Sequence, residues 1–298
     1  MNIELEFNHG LGDCVQFTSV LKHIKHYYPD WGVVFKAGTG RSSIANGLCH
    51  TSNGQIDKKI HVHWWECHHG YTKYPSTKLE QSLLNEFGLE PIPELLTYTQ
   101  NVCTIVYEHA ENYYQSIGAI KSDGRYNVLV MHYQGNTSSQ LKNLHHEEAL
   151  AVCKLAISMG VIPVILDWDD RSGLPDGKII YCPNKYHSLW NGTCMGDAET
   201  IAALIERAKL CVSIDSGPGH VAGATTTPTI IVWVGHHPIH YYQPIKTVRH
   251  VIPANHGYFI RANRTEVLRY FSSNYKYTTY YKLLETLLQQ VRNYCVST

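Results

Sequence analysis

Charge is scarce in this sequence. Of 298 residues only 17% are charged, 25 basic against 25 acidic, so the formal net charge is zero. With neither sign in excess and no long basic run, no global field draws nucleic acid or an anionic membrane, and neither is expected as a partner. Apolar runs are short too. None approaches the roughly 20 uncharged residues of a membrane-spanning helix, so no transmembrane segment is expected. The opening residues Met1-Asn2-Ile3-Glu4-Leu5-Glu6-Phe7 alternate apolar with polar. They lack the basic and apolar regions of a secretory signal, which points to a soluble, cytoplasmic protein. The nine cysteines, an odd number, run from Cys14 to Cys295 without a compact framework. In a chain long enough to bury its own core they read as reduced, buried small hydrophobes. Off the secretory route, the Asn-x-Ser/Thr matches at Asn136, Asn191 and Asn263 carry no glycan. There is no internal repeat and no low-complexity tract.

What is present is a globular chain, 44% apolar, patterned as alternating strand and helix. Residues 3–7 predict a strand, Asn8-His9-Gly10-Leu11-Gly12-Asp13 a glycine-bearing turn, and residues 15–28, with Val15, Val20, Leu21 and Ile24 on one face, the following helix. Pro29 closes it, and Val33-Val34-Phe35 completes a βαβ unit. Residues 41–94 are polar, aromatic and His-rich, with a helix expected at 78–87; another is expected at 108–117, ending at Gly118. After the polar stretch Lys121-Ser122-Asp123-Gly124-Arg125 the pattern restarts. Strands are expected at 126–132, 161–166, 179–181, 211–214 and 229–234, and helices at 147–159, at 198–208 with Asp197 as N-cap, and within 267–291. Two runs of alternating strand and helix, each opening on a glycine turn, argue for an α/β chain of two Rossmann-like, doubly wound domains, residues 1–122 and 123–298.

Three constellations carry chemistry. Gly10-Leu11-Gly12-Asp13 lies between strand and helix, where open α/β folds receive ligands and where glycine lets a substrate approach backbone. It is not a dinucleotide fingerprint, because the third glycine of G-x-G-x-x-G falls at Val15. Asp13 there is either a helix cap or a general base for a hydroxyl. In Asp215-Ser216-Gly217-Pro218-Gly219-His220, amides at a helix start suit phosphate oxygens, and the His220 imidazole suits an anion or leaving-group charge; the alternative is a plain Gly/Pro loop. Gln134-Gly135-Asn136-Thr137-Ser138, with Lys142 downstream, offers hydroxyls, amides and a cation suited to a diphosphate.

Taken together, these residues resemble glycosyltransferase family 9, the heptosyltransferase-like enzymes of GT-B architecture in which two Rossmann-like domains face a cleft. The resemblance rests on Gly10-x-Gly12-Asp13, on Gly135-Asn136-Thr137-Ser138 with Lys142, and on residues 196–205. Its longest stretch is residues 208–224, containing Asp215-Ser216-Gly217-Pro218-Gly219-His220, followed by Pro228 and Gly235. It implies that Asp13 is the base that deprotonates an acceptor hydroxyl. Thr137, Ser138 and Lys142 would face the donor's phosphates, and Asp215 would approach the donor sugar. The backbone at Ser216, Gly217, Pro218 and Gly219, with His220, would hold the diphosphate, while Gly10 and Gly12 give substrate room. It implies inversion by direct displacement with no cofactor and no metal, from a nucleotide-diphosphate sugar, ADP-heptose favoured and UDP- or GDP-sugars open, to a glycan or protein acceptor. An epimerase of nucleotide-sugars on the same fold, or a nucleotide-sugar-binding protein without catalysis, are the alternatives.

His61-Val62-His63-Trp64-Trp65-Glu66-Cys67-His68-His69 has ligand types that suit zinc or iron, but no C-x-x-C pair; it reads as a metal segment or as an aromatic acceptor wall. His236-His237 reads as reaching the donor or as solvated loop. Tyr241-Tyr242 offers rings that can stack on a base or sugar.

Overall fold

Alternation in the first strand sets the first layer. In β1 (Asn2–Phe7) the side chains of Ile3, Leu5 and Phe7 are fully buried on one face. Glu4 lies on the other, gripped by Lys36 and Lys59 at 2.7 and 3.1 Å; both hydrogen-bond its carboxylate and hold it below the usual carboxylate range. The structure, a computed structural model, describes residues 1–38, 41–49, 55–62, 78–135, 142–167, 180–183, 188–190, 193–194, 197–234, 238–243, 245–253 and 275–296. Helix α1 (Leu11–Tyr27) follows β1 directly from Gly10 and stops before Pro29. Its start is earlier than the apolar period suggests, so Gly12 and Asp13 belong to the first helical turn. Strands β2 (Gly32–Ala37) and β3 (Lys58–His61) pair in parallel on either side of β1, in the order β2-β1-β3. Phe17 from α1 stacks on Phe7 and Phe35, with ring centroids 4.4 and 5.6 Å away, and so seats the helix on the sheet.

Helix α2 (Lys78–Phe87) packs beside α1, and α3 (Thr104–Ser116) leads toward a hairpin of β4 (Lys121–Ser122) and β5 (Arg125–His132). Asp123 and Gly124, at φ 50° and 83°, make its left-handed turn. The chain continues through α4 (His146–Ser158), opened by a His145/Glu148 capping box, β6 (Ile162–Ile165) and the antiparallel pair β7 (Ser188–Trp190) and β8 (Thr193–Cys194). Then come α5 (Ala198–Arg207), β9 (Ala208–Ile214), α6 (Gly217–Ala222), β10 (Thr229–Val232), α7 (Pro238–Tyr241), β11 (Val248–Pro253), β12 (Tyr275–Thr278) and α8 (Leu283–Val296).

The second sheet runs β12-β11-β10-β9-β5, with β6 in parallel beside β5, and β4 its antiparallel stub. Tyr181 bridges to β6 in parallel, so the outer position expected for residues 179–181 is marked by a single bridge. Strand order reverses between β5 and β9. A reversal of this kind leaves a crevice at the carboxyl ends of the two strands, the usual ligand position of an open α/β sheet.

One apolar core joins the three-stranded sheet, α1 and α3 to one face of the large sheet, from Ile3 and Phe17 through Ile201 and Leu204 to Trp233. A second lies on the opposite face, under α4 and α8. Helix α1 packs on α6 and α3 on α5, which brings the two parts of the chain into direct contact.

The sequence pattern misses β3, β11 and β12, and with them the short strands β4, β7 and β8. Residues 275–278 form a strand where a helix was expected, because Tyr and Thr suit a pleated surface and pair with β11. Among the described residues no helix is long and apolar enough to cross a membrane, and Cys14, Cys49, Cys103, Cys153, Cys182, Cys211 and Cys295 are free thiols. Burial pushes Cys14, Cys153 and Cys211 up to about 12.

Candidate active site

The carboxyl end of β1 delivers the chain to Gly10, the N-cap of α1, which has extended backbone and supplies no capping side chain. Within the first turn only Cys14 N–H has its helical partner, the Gly10 carbonyl, at 3.0 Å. The preceding amides mark the positive end of the helix, where a carboxylate is favoured. Asp13 stands in that turn, half-buried, on the side of exposed Gly10, where a Cβ would lie 3.4 Å from Asp13 Oδ2. The Arg41 guanidinium donates to the His9 carbonyl at 2.5 Å and fixes the approach to the turn.

The second turn forms at the carboxyl end of β9, beside the exit of β5. A Cβ on Gly135 would lie 3.7 Å from Ile214 Cδ1 and 3.9 Å from Ser216 Cβ, and Asn143 Oδ1 accepts the Gly135 N–H at 2.8 Å. This places both strand ends at the point where strand order reverses. Asp215, buried there, is held by Lys142 Nζ at 2.9 Å, and His220 Nε2 lies 3.6 Å from its other oxygen. Helix α6 begins immediately after, with Ser216 as extended N-cap. Pro218 carries no N–H, so the amide donors of this turn are Ser216, Gly217 and Gly219.

The two turns, about 200 residues apart in sequence, meet. A Cβ on Gly12 would lie 2.5 Å from His220 Cδ2, and one on Gly217 would lie 2.8 Å from Leu11 Cβ. Glycine is required at both positions by close approach, since a Cβ at these distances overlaps its neighbour. His220 is wedged between the first turn of α1 and the Tyr242 ring, which stacks on it at 5.0 Å and 26°. Its Nδ1 is buried without a hydrogen-bond partner among the described residues.

Of the residues singled out in the sequence, Gly10, Gly12, Asp13, Lys142, Asp215, Ser216, Gly217, Pro218, Gly219 and His220 therefore gather around one junction. Thr137 and Ser138 lie outside the described residues, as do residues 63–69 of the His-rich segment and His236-His237. His61 pairs with Glu6 at 2.8 Å. Among the described residues no group of three or more His, Cys, Asp or Glu side chains is placed to hold a metal ion. One expectation is corrected. Tyr242 is 1% exposed and packs on His220, so its ring has no free face for a base or sugar. Asp197 is the N-cap of α5 as expected, without a side-chain capping bond.

Sequence reasoning did not single out Tyr98, whose hydroxyl accepts the Gln243 N–H at 3.0 Å and whose ring lies 5.9 Å from His220. It also passed over Asn143. Neither sits in a glycine motif, and a lone Tyr or Asn in a polar segment carries no periodic signal.

Comparison with known proteins follows the same lines. Residues 197–266 match the model of glycosyltransferase family 9 (heptosyltransferase). None of the curated proteins matches the chain in sequence. Among solved structures, the glycosyl transferase family 9 protein of Veillonella parvula DSM 2008 is similar over 100% of this chain and 97% of its own, at 13% identity and a TM-score of 0.66. The E. coli ADP-heptose lps heptosyltransferase II is similar over 99% of each chain, at 15% identity and a TM-score of 0.60. The E. coli heptosyltransferase WaaC with ADP is similar over 92% of this chain and 100% of its own, at 13% identity and a TM-score of 0.55. At such identities the likeness establishes the fold, the α/β architecture of these heptosyltransferases, and the matched segment carries the second turn.

Proposed function

We propose that this chain, a glycosyltransferase of family 9 by its matched segment and its fold, moves a sugar from a nucleotide-diphosphate donor to an acceptor hydroxyl in one inverting displacement. The observation that carries the reading is the abutment of Gly12 on His220, which sets a helix-start carboxylate beside an amide-rich turn at the strand reversal.

Asp13 takes the proton of the acceptor hydroxyl as its oxygen attacks the anomeric carbon. The bond from that carbon to the diphosphate oxygen breaks on the opposite face, and the diphosphate leaves with the electron pair. Lys142, the N–H groups of Ser216, Gly217 and Gly219, and the hydroxyls of Thr137 and Ser138 meet the charge that develops on it. Fixed donors of this kind stabilise a leaving anion without reorganising during the step, which makes a metal unnecessary in this scheme. Asp215, held by Lys142 and flanked by His220, faces the donor sugar.

We take ADP-heptose as the donor, since one E. coli neighbour is an ADP-heptose lps heptosyltransferase and the other is a heptosyltransferase with ADP, and a glycan or protein hydroxyl as the acceptor. In this reading residues 1–122 form the acceptor side and residues 123–298 the donor side. The free thiols of the described cysteines fit the reducing cytoplasm, where we place the reaction.

The test is transfer from ADP-heptose to a panel of glycan and protein acceptors. Replacing Asp13 by Asn or Ala should lower transfer about 10²- to 10⁴-fold, the usual contribution of a general base, with donor binding kept. Undiminished transfer by both variants removes Asp13 from the mechanism. Interconversion of the donor sugar without any acceptor, followed by NMR, would replace transfer with epimerisation.

A further inference from the structure

Behind the donor-side turn stands a buried aromatic cluster that takes no part in the chemistry above. The Tyr242 hydroxyl donates to the Gly219 carbonyl at 2.8 Å, while its ring stacks on His220. That hydroxyl enters against Gly223, where any Cβ would collide with it. Trp233 and Tyr98 close on the ring edge to face, at 6.1 and 5.2 Å. Trp233 in turn donates from Nε1 to His250 Nδ1 at 2.8 Å. Burial raises the Tyr242 phenol well above its ordinary value, so it remains a donor at any working pH. The Tyr98 hydroxyl, from the first half of the chain, accepts the amide N–H of Gln243 next to it.

The contacts that Tyr242 itself makes, at Gly219 and His220, constrain the same turn. A carbonyl and an N–H of one peptide plane point in opposite directions. Fixing the Gly219 carbonyl inward therefore fixes the His220 N–H, and the stacked imidazole keeps Asp215 in its place from the side away from Lys142. Glycine at 217 and 219 makes this turn pliable by itself, so its shape must come from outside.

We infer that Tyr242, clamped by Tyr98, is a positioning residue that holds the Gly217-Pro218-Gly219-His220 turn in the conformation that binds the donor diphosphate. The inference rests on the proposed function for what the turn binds, and on geometry for the holding itself.

Two measurements on the full chain test it: amide hydrogen exchange of residues 216–223, and calorimetric affinity for ADP. Tyr242→Phe removes one hydroxyl and strands the Gly219 carbonyl. It should speed exchange in the turn by about tenfold and weaken ADP by a similar factor, the size expected for one buried hydrogen bond. Trp233→Phe, which loosens the same cluster without touching Gly219, should lower the melting temperature yet leave exchange in the turn and ADP affinity within about twofold, since it severs no bond to the turn. Unchanged exchange in Tyr242→Phe overturns the inference, as does an equal effect of Trp233→Phe. If wild type binds no nucleoside diphosphate while Tyr242→Phe speeds exchange in the turn, the holding role stands and the functional reading falls.

Discussion

The two glycine turns that meet at the junction are built in contrasting ways. The amino-terminal one opens a 17-residue helix, leaves Gly10 exposed and Asp13 half-buried, and is held chiefly by backbone and by one arginine on the preceding carbonyl. The other opens a six-residue helix, is buried almost throughout, and is gripped from every side, by Lys142, Tyr242, Leu11 and the first turn of α1. A group that exchanges a proton with an incoming acceptor must remain reachable and able to change charge. A surface that receives a leaving diphosphate gains from being fixed in advance, because it then pays no reorganisation during the reaction. The long helix also supplies a larger aligned dipole at Asp13 than the short one supplies to its turn, so the second site depends more on Lys142 for its positive potential.

That division can be strained at its most rigid point. Lys142→Met leaves Asp215, 7% exposed in its side chain, without its cation. Removing one partner of a buried ion pair costs on the order of 3–4 kcal/mol, to be read from denaturant unfolding. ADP affinity should fall with it. Retained stability and retained affinity together would show that the pair contributes nothing to either turn.

The contact between the turns is the next place to press. Gly12→Ala puts a methyl group where only 2.5 Å separates that position from His220 Cδ2. His220 is backed by Tyr242, so the overlap should cost about 1–3 kcal/mol, as overpacking does, and lower transfer with it. Gly10→Ala, at a position with no neighbour nearer than 3.4 Å, should leave folding stability close to that of wild type. Equal effects of the two would erase the distinction between a packed and an open turn.

The smallest effect concerns the strand that supports the second turn. His132, at the carboxyl end of β5, is driven down to about 4 by burial, against the opposing influence of the Leu166 carbonyl, which accepts from its Nδ1 at 3.0 Å. An unfolded histidine titrates near 6.5. Between these values the unfolded chain binds a proton that the folded chain does not, so stability is lost as pH falls. The loss should reach about 1 kcal/mol at pH 6 and grow toward pH 4. His132→Gln should flatten the slope of unfolding free energy between pH 7 and 5, and an unchanged slope would show that this histidine is not held neutral.

Much of this architecture was legible in the sequence because its elements are strongly periodic. Residues 3–7, 126–132 and 198–208 gave β1, β5 and α5 nearly to their ends, and the residue pattern of the glycosyltransferase family singled out the turn at residues 215–220. The strands lost were those whose identity depends on partners. Lys58–His61 is mostly polar and becomes β3 only by pairing with β1, and Tyr275–Thr278 becomes β12 only against β11. At the junction, residue type singles out Asp13, Lys142 and Asp215, but not that Lys142 and Asp215 hold each other. Tyr242 is visible as an aromatic that could stack on a base or sugar, yet it is buried, because burial is a property of the packed core and not of a dipeptide. Tyr98 lies 145 residues from Gln243, a separation at which no local pattern can announce a hydrogen bond.

The most direct measurement of the division of labour sets Asp13→Asn beside Lys142→Met, with ADP affinity and sugar transfer measured on both. Asp13→Asn should bind ADP as wild type does while transfer collapses, and Lys142→Met should lose affinity and transfer together. Loss of ADP binding in Asp13→Asn, or full transfer by it, would contradict the assignment of proton removal to one turn and leaving-group capture to the other.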